Sequence, residues 1–168
     1  MGVVRDSRID VTNPYGAIGV NFYAGVTGTV IDSQVTLQMS GASRGAYGVH
    51  ALDGGLTIQG SRIVSNVSVV SPPGYEAAVR KPDVGALEID GSVVLGTNVG
   101  VLGGSYGSVD ISIRNSTISG ATYAIQKVGT TSRFRAGGSS LSGAHDGVSG
   151  TDKIVNCFDG NYDPIPSP

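Results

Sequence analysis

The sequence predicts an all-β chain wound as a right-handed parallel β-helix of about six to seven rungs, with three short strands per rung. Three observations predict it. A Ser-x-apolar triplet recurs down the chain, a period-two apolar segment precedes most copies, and a small residue followed by an aliphatic one comes after each.

The triplets are Ser7-Arg8-Ile9, Ser33-Gln34-Val35, Ser61-Arg62-Ile63, Ser92-Val93-Val94, Ser116-Thr117-Ile118 and Ser139-Ser140-Leu141, at intervals of 26, 28, 31, 24 and 23 residues. Before the serine, apolar residues fall five and three positions back, as in Leu56 and Ile58, Leu87 and Ile89, and Ile111 and Ile113. That alternation is a strand. Turn formers such as Asp32, Gly60, Gly91 and Asn115 separate segment from triplet and mark a corner. The third element is Gly19-Val20, Gly48-Val49, Ala78-Val79, Gly100-Val101, Ala124-Ile125 and Gly147-Val148. No helical periodicity lies between these strands, so crossover helices are not expected. Three short strands per repeat are then buried by coiling, each pairing in parallel with its copy one turn on. Ile9, Val35, Ile63, Val94, Ile118 and Leu141 should form one inward column, each side chain contributing roughly 1.5 to 3 kcal/mol. Residues 1–168 read as a single domain, with 153–168 as a closing segment in which Val155 and Cys157 point inward and the prolines end strand pairing.

Composition agrees and narrows the function classes. Glycine supplies 27 residues, tryptophan none and charged residues 14%, as expected of a turn-rich solenoid. The net charge is -2 with no run of either sign, so neither nucleic acid nor an acidic lipid surface is an expected partner. No stretch is apolar enough for membrane insertion. The single cysteine, Cys157, excludes an internal disulfide framework and a cysteine zinc cluster. Met1 to Asp10 carries four charges and does not read as a secretion signal, so an exported, extracellular form would need a leader outside this chain. No capping segment precedes Ser7, and self-association through the open N-terminal edge is expected.

The Asn-Ser-Thr-Ile-Ser-Gly run at 115–120, the Tyr-Gly-Val and Tyr-Ala-Ile segments and the Asn-Cys-Phe-Asp-Gly-Asn-Tyr ending resemble bacterial right-handed β-helix repeat proteins of the pectate-lyase-like superfamily. The resemblance covers nearly the whole chain and implies a fold shared by polysaccharide lyases, glycoside hydrolases, tailspikes and adhesins. The Asn-Thr-Asp, Asp-Asp, His-Gly and Arg-Ile-Lys motifs expected of polygalacturonase-type enzymes are absent, as are stacked calcium-binding aspartates.

Chemical motifs are sparse. Gly41-Ala42-Ser43-Arg44-Gly45 and Gly103-Gly104-Ser105-Tyr106-Gly107 match a nucleophile elbow, but the strand-turn-helix context that the motif needs is missing. His50 and His145 lie in different repeats with no carboxylate motif, so no catalytic residue, metal site or cofactor is assigned. Asp90 and Arg114, and Asp110 and Arg133, fall in register as ladder pairs.

The informative irregularity is the serine-to-aliphatic spacing, which is nine in the last three turns but thirteen, sixteen and eighteen in the first three. The extra residues stack at one corner, where insertions in solenoids often build a binding face. They carry Tyr15, Tyr47 and Tyr75, with Arg44, Asn66, Glu76 and Arg80 beside them. Aromatic faces with hydrogen-bonding neighbours suit a sugar ring. The expected function is a non-catalytic module presenting this corner to a polysaccharide or partner. Two alternatives stand beside it: a polysaccharide lyase or hydrolase using Glu76 as acid or base with Arg44, Arg80 or Lys81, and a fibre segment of a longer coil.

Overall fold

Every serine of the repeat follows a residue that turns the chain through the left-handed region. Asp6, Asp32 and Asn115 have φ of 46°, 47° and 48°, and Gly60, Gly91 and Gly138 have 56°, 56° and 59°. Aspartate, asparagine and glycine are the residue types that reach this conformation at least cost, which is why they alone occupy the position. The chain leaves each such corner as a new strand.

The computed structural model describes residues 1–14, 16–42, 45–69, 76–128, 131–147, 152–161 and 163–166, and no helix occurs among them. The first turn is β1 (Gly2–Arg5), β2 (Arg8–Thr12) and β3 (Ala17–Phe22); the second is β4 (Gly28–Ile31), β5 (Gln34–Ala42) and β6 (Ala46–Ala51). β7 (Leu56–Gln59), β8 (Arg62–Val69) and β9 (Glu76–Lys81) make the third, and β10 (Gly85–Asp90), β11 (Val93–Gly96) and β12 (Val99–Gly103) the fourth. In the fifth, β13 (Val109–Arg114) is followed by β14 (Thr117–Lys127), which runs unbroken round a corner. β15 (Arg133–Gly137), β16 (Ser140–Asp146) and β17 (Lys153–Val155) follow.

The result is a parallel β-solenoid of about five turns. Its first face is the ladder β1-β4-β7-β10-β13-β15-β17. The second face (β2-β5-β8-β11) and the third (β3-β6-β9-β12) are joined through β14, with β16 beside it. The predicted aliphatic columns lie inside: Val35, Ile63, Val94, Ile118 and Leu141 are all fully buried. At the corner between the second and third faces, Gly96 and Gly120 are paired, and a Cβ on either would fall 1.9 or 2.1 Å from a backbone carbonyl oxygen. Only glycine fits there, and this tight corner is what the short nine-residue spacing encodes.

A ladder of serines runs up the first corner. The backbone N–H of Ser7 donates to Ser33 Oγ, Ser33 to Ser61, Ser61 to Ser92 and Ser92 to Ser116, each at 3.1 Å, and Ser116 to Ser139 at 3.2 Å. Each hydroxyl in turn donates to the carbonyl two residues back, as Ser92 does to Asp90 at 2.8 Å. The corner therefore satisfies its own buried polar groups turn by turn.

Three sequence expectations need correction. In the closing segment Val155 is 54% exposed, and it is Ile154 that is buried. Asn156, at φ 52°, is the corner residue, so Cys157 takes the serine position and its Sγ donates to Val155 O at 3.5 Å. Counting back from Cys157 puts Asp152 in the inward position held by Leu56, Leu87, Ile111 and Phe134. There its carboxylate accepts the Phe134 N–H at 2.6 Å and pairs with buried Lys127 at 2.6 Å.

Second, the prolines do not end pairing outright. Phe158 bridges Ser140 in parallel and Pro164 in antiparallel sense, and Ile165 packs against the core, so the tail folds over the C-terminal end of the coil. Third, in the sixth copy Ile125 lies opposite His145, not Val148, because between its pairings β16 has only Gly143 against residues 120–122 and nothing against Ala124. Val148 lies outside the described residues.

The N-terminal end has no such cover among the described residues. Val30, Val35, Leu37 and Ala46 are fully buried, whereas their partners in the first turn, Val4, Ile9, Val11 and Ala17, are only half-buried.

Candidate functional site

The extra residues in the early turns are spent first on strand. β5 has nine residues and β8 eight, against four in β11, because Val35, Leu37 and Met39 continue the period-two alternation. Leu37, Met39, Ala46 and Val67 bury one another in a second small core at this corner. The insertions thus thicken the coil before they form any loop. Tyr15, Arg44 and Tyr75, expected on the loops, lie outside the described residues.

The other expected site residues divide between two faces. Asn66 is exposed on the second face, in a shallow groove with Thr12, Gln38, Ser40 and Thr97. Tyr47 and Arg80 belong to the third face. Glu76, the first residue of β9, is 1% exposed opposite Ala46, so its carboxylate is not presented to solvent. Lys81, weighed as a substrate-carboxylate partner, is fully buried, and its Nζ donates to the carbonyls of Leu52 (3.0 Å), Asp83 (2.9 Å) and Val84 (2.6 Å). It braces a turn, since three carbonyl acceptors match the three donors of an ammonium.

On the outer side of the third face two columns run side by side. One is Ile18, Tyr47, Ala77, Val99, Tyr123 and Ala144; the other is Asn21, His50, Arg80, Leu102, Gln126 and Asp146. Tyr47, Ala77, Val99 and Leu102 form a buried apolar patch with Tyr123 beside it. Across that patch the Arg80 guanidinium carbon lies 4.7 Å from the Tyr47 ring centroid and 5.9 Å from that of Tyr106. The guanidinium is held between two tyrosines, an arrangement that cation–π attraction stabilises. His50 stacks on the other residue of this pair of columns, its ring centroid 5.3 Å from Tyr47.

His50 is neutral at physiological pH. Burial, then the charges of Arg80 and Lys81, push its pKa from 6.5 down to about 4. Its Nδ1 lies 3.0 Å from Asn21 Oδ1, so Nδ1 carries the proton and donates, leaving Nε2 as an acceptor. That Nε2 and the Arg80 Nε–H are both buried without a hydrogen-bond partner among the described residues. They are one acceptor and one donor on cross-strand neighbours.

Reading the sequence for loop tyrosines found Tyr47 and Arg80, weighed His50 only as a catalytic or metal residue, met Tyr106 only within a nucleophile-elbow match, and passed over Asn21 and Gln126. The signal was present: Asn21, His50, Arg80, Leu102 and Gln126 each follow the repeat's aliphatic residue by one. Tyr106, by contrast, sits in the turn after β12, tied by its N–H to Pro82 O at 2.7 Å, and only folding brings it over Arg80. Of the two nucleophile-elbow matches, the first includes residues outside those described, and Gly103–Gly107 leads into strand β13 rather than a helix. The Asp90–Arg114 pair is formed at 3.9 Å on the surface, and Asp110 is in register with Arg133.

No family model, curated protein or solved structure matches the chain. The pectate-lyase-like resemblance therefore rests on the motifs of the repeat. Among the described residues no group of three or more His, Cys, Asp or Glu side chains could hold a metal ion, and no helix is long and apolar enough to cross a membrane.

Proposed function

We propose that this chain is a non-catalytic, right-handed β-helix module of the pectate-lyase-like kind that binds a glycan on its third face. The winding sense follows the strong preference of parallel crossovers for the right hand. The observation that carries the function is the Tyr47–Arg80–Tyr106 stack with the partnerless Arg80 Nε–H and His50 Nε2 beside it. A sugar hydroxyl is both acceptor and donor, the two roles left unfilled at the Arg80 Nε–H and His50 Nε2, and the C–H face of a sugar ring suits the surface of a tyrosine. Both nitrogens are covered in the free chain, and Tyr106, 75% exposed in its turn, is the side chain that a ligand displaces and then stacks on. The acid–base reading of Glu76 is disfavoured by its burial.

Immobilised neutral and acidic polysaccharides test the reading, with retention and the release of new reducing or unsaturated ends measured together. Retention without cleavage is expected, weakened about tenfold in Tyr106→Ala and in Arg80→Ala. Tyr106→Ala should keep the parent melting temperature, since its ring is exposed. Cleavage, or retention that neither substitution changes, overturns the proposal.

A further inference from the structure

We propose that the first face of the coil stacks on the first face of a second copy, in a register set by charges that the single chain leaves unpaired. Alternate residues of β10, β13, β15 and β17 point outward, because Leu87, Ile111, Phe134 and Ile154 between them are buried. The outward residues stack in columns. One places Asp110 beside Arg133, and the next runs Glu88, Ser112, Arg135 and Lys153. A third sets Asp90, Arg114 and Gly137 in line.

Charge is sorted along this face. The acids Glu88, Asp90 and Asp110 lie on β10 and at the start of β13, and the cations Arg114, Arg133, Arg135 and Lys153 follow on the end of β13, on β15 and on β17. Asp90 and Arg114 pair at 3.9 Å. Among the described residues Glu88, Asp110, Arg133, Arg135 and Lys153 take part in no ion pair, and all five are exposed.

A two-fold axis lying between the two faces and parallel to the strands keeps each column over itself and reverses the order of the turns. With that axis midway between β13 and β15, Asp110 lies opposite Arg133 of the second copy and Glu88 opposite its Lys153, each twice by symmetry. The neighbouring registers are worse. An axis on β13 sets Asp110 against Asp110 and Arg114 against Arg114, and an axis on β15 sets both of its arginines against themselves. Size agrees with charge in the favoured register, because Arg135 meets Ser112 of the second copy and Arg114 meets its Gly137. A cleft of about 260 Å³ opens beside Ser112, between Glu88, Asp110, Arg133 and Arg135, where that long side chain arrives. Stacked sheets lie ~10 Å apart, a gap that a long cation and a carboxylate span together. The contact uses the same patch on both copies and so closes as a dimer. Exposed ion pairs are individually weak, so the dimer is a weak, salt-sensitive one.

Sedimentation across a concentration series tests this with the parent, Asp110→Arg and Arg133→Asp. The parent should dimerise reversibly, at least tenfold more weakly at about 1 M than at about 0.01 M salt, where the screening length falls from ~30 Å to ~3 Å. Each variant alone sets like charges across the axis twice and should associate at least tenfold more weakly. Mixed one to one, the two variants face each other with opposite charges at both positions, and association should return to the parent level as a heterodimer. Both substituted side chains are exposed, so the melting temperature of each variant should stay near that of the parent. A parent that is monomeric at every concentration in low salt, a dimer that either substitution leaves intact, or a mixture that associates no better than its components overturns the proposal.

Discussion

Ser92→Ala probes the serine ladder at its middle, where the residue is 2% exposed. The Oγ accepts the Ser61 N–H at 3.1 Å and donates to Asp90 O at 2.8 Å. Alanine removes both bonds and leaves the buried Ser61 N–H without its partner. Losing the hydrogen bonds costs about 0.5 to 1.5 kcal/mol each, and an orphaned buried donor about 1 to 3; because these overlap, the expected loss is about 2 to 3 kcal/mol. Ser7→Ala is the internal control. Its hydroxyl donates to Arg5 O at 2.7 Å, and among the described residues no serine N–H donates to it, so about 0.5 to 1 kcal/mol is expected. Urea unfolding reads both as shifts in midpoint at constant slope. Equal losses in the two variants, or a Ser92→Ala loss below about 0.5 kcal/mol, would refute the claim that the ladder holds the corner together.

Two further predictions concern buried charge. Lys127→Met strands the Asp152 carboxylate, 0% exposed, and should cost about 3 to 5 kcal/mol, while Lys127→Met with Asp152→Asn keeps an acceptor for the Phe134 N–H and recovers most of it; thermal melting of the pair checks this. His50 titrates at about 4 when folded and at 6.5 when unfolded, so between those values the unfolded chain binds more protons. Its contribution is complete above pH 6.5 and is lost as pH falls toward 4. Since the ring is only half withdrawn from solvent, the screened loss is on the order of 1 kcal/mol. Melting curves of the parent and His50→Gln should converge across that window as pH falls, and curves that stay parallel would rule out the shift as a determinant of stability. His145, lowered in the same direction by burial, leaves a residual slope in the variant.

The solenoid was legible because its determinants are local and repeated. A left-handed corner residue, a serine, and an apolar residue two further on specify a bend, a bridge to the next turn and an inward side chain, and stacking copies reinforce each other in register. Asp32-Ser33-Gln34-Val35 and Asn115-Ser116-Thr117-Ile118 do the same work with different corner residues. The closing turn was misread because cysteine stands where serine was sought: the shift from Val155 to Ile154 is a one-residue slip, and with a period of two a one-residue slip reverses which side chains point inward.

The site depended on what the repeat does not encode. That Lys81 would turn inward onto three carbonyls, that Glu76 would be covered, and that Tyr106 would fold over Arg80 from the next corner are outcomes of packing between elements far apart in the chain. Local pattern determined which residues face out on the third face. Which of those outward residues are covered, neutralised or left with an unmet hydrogen bond was decided only when neighbouring turns closed over them, because desolvation and hydrogen-bond satisfaction depend on the whole surroundings of a group and not on its place in the repeat.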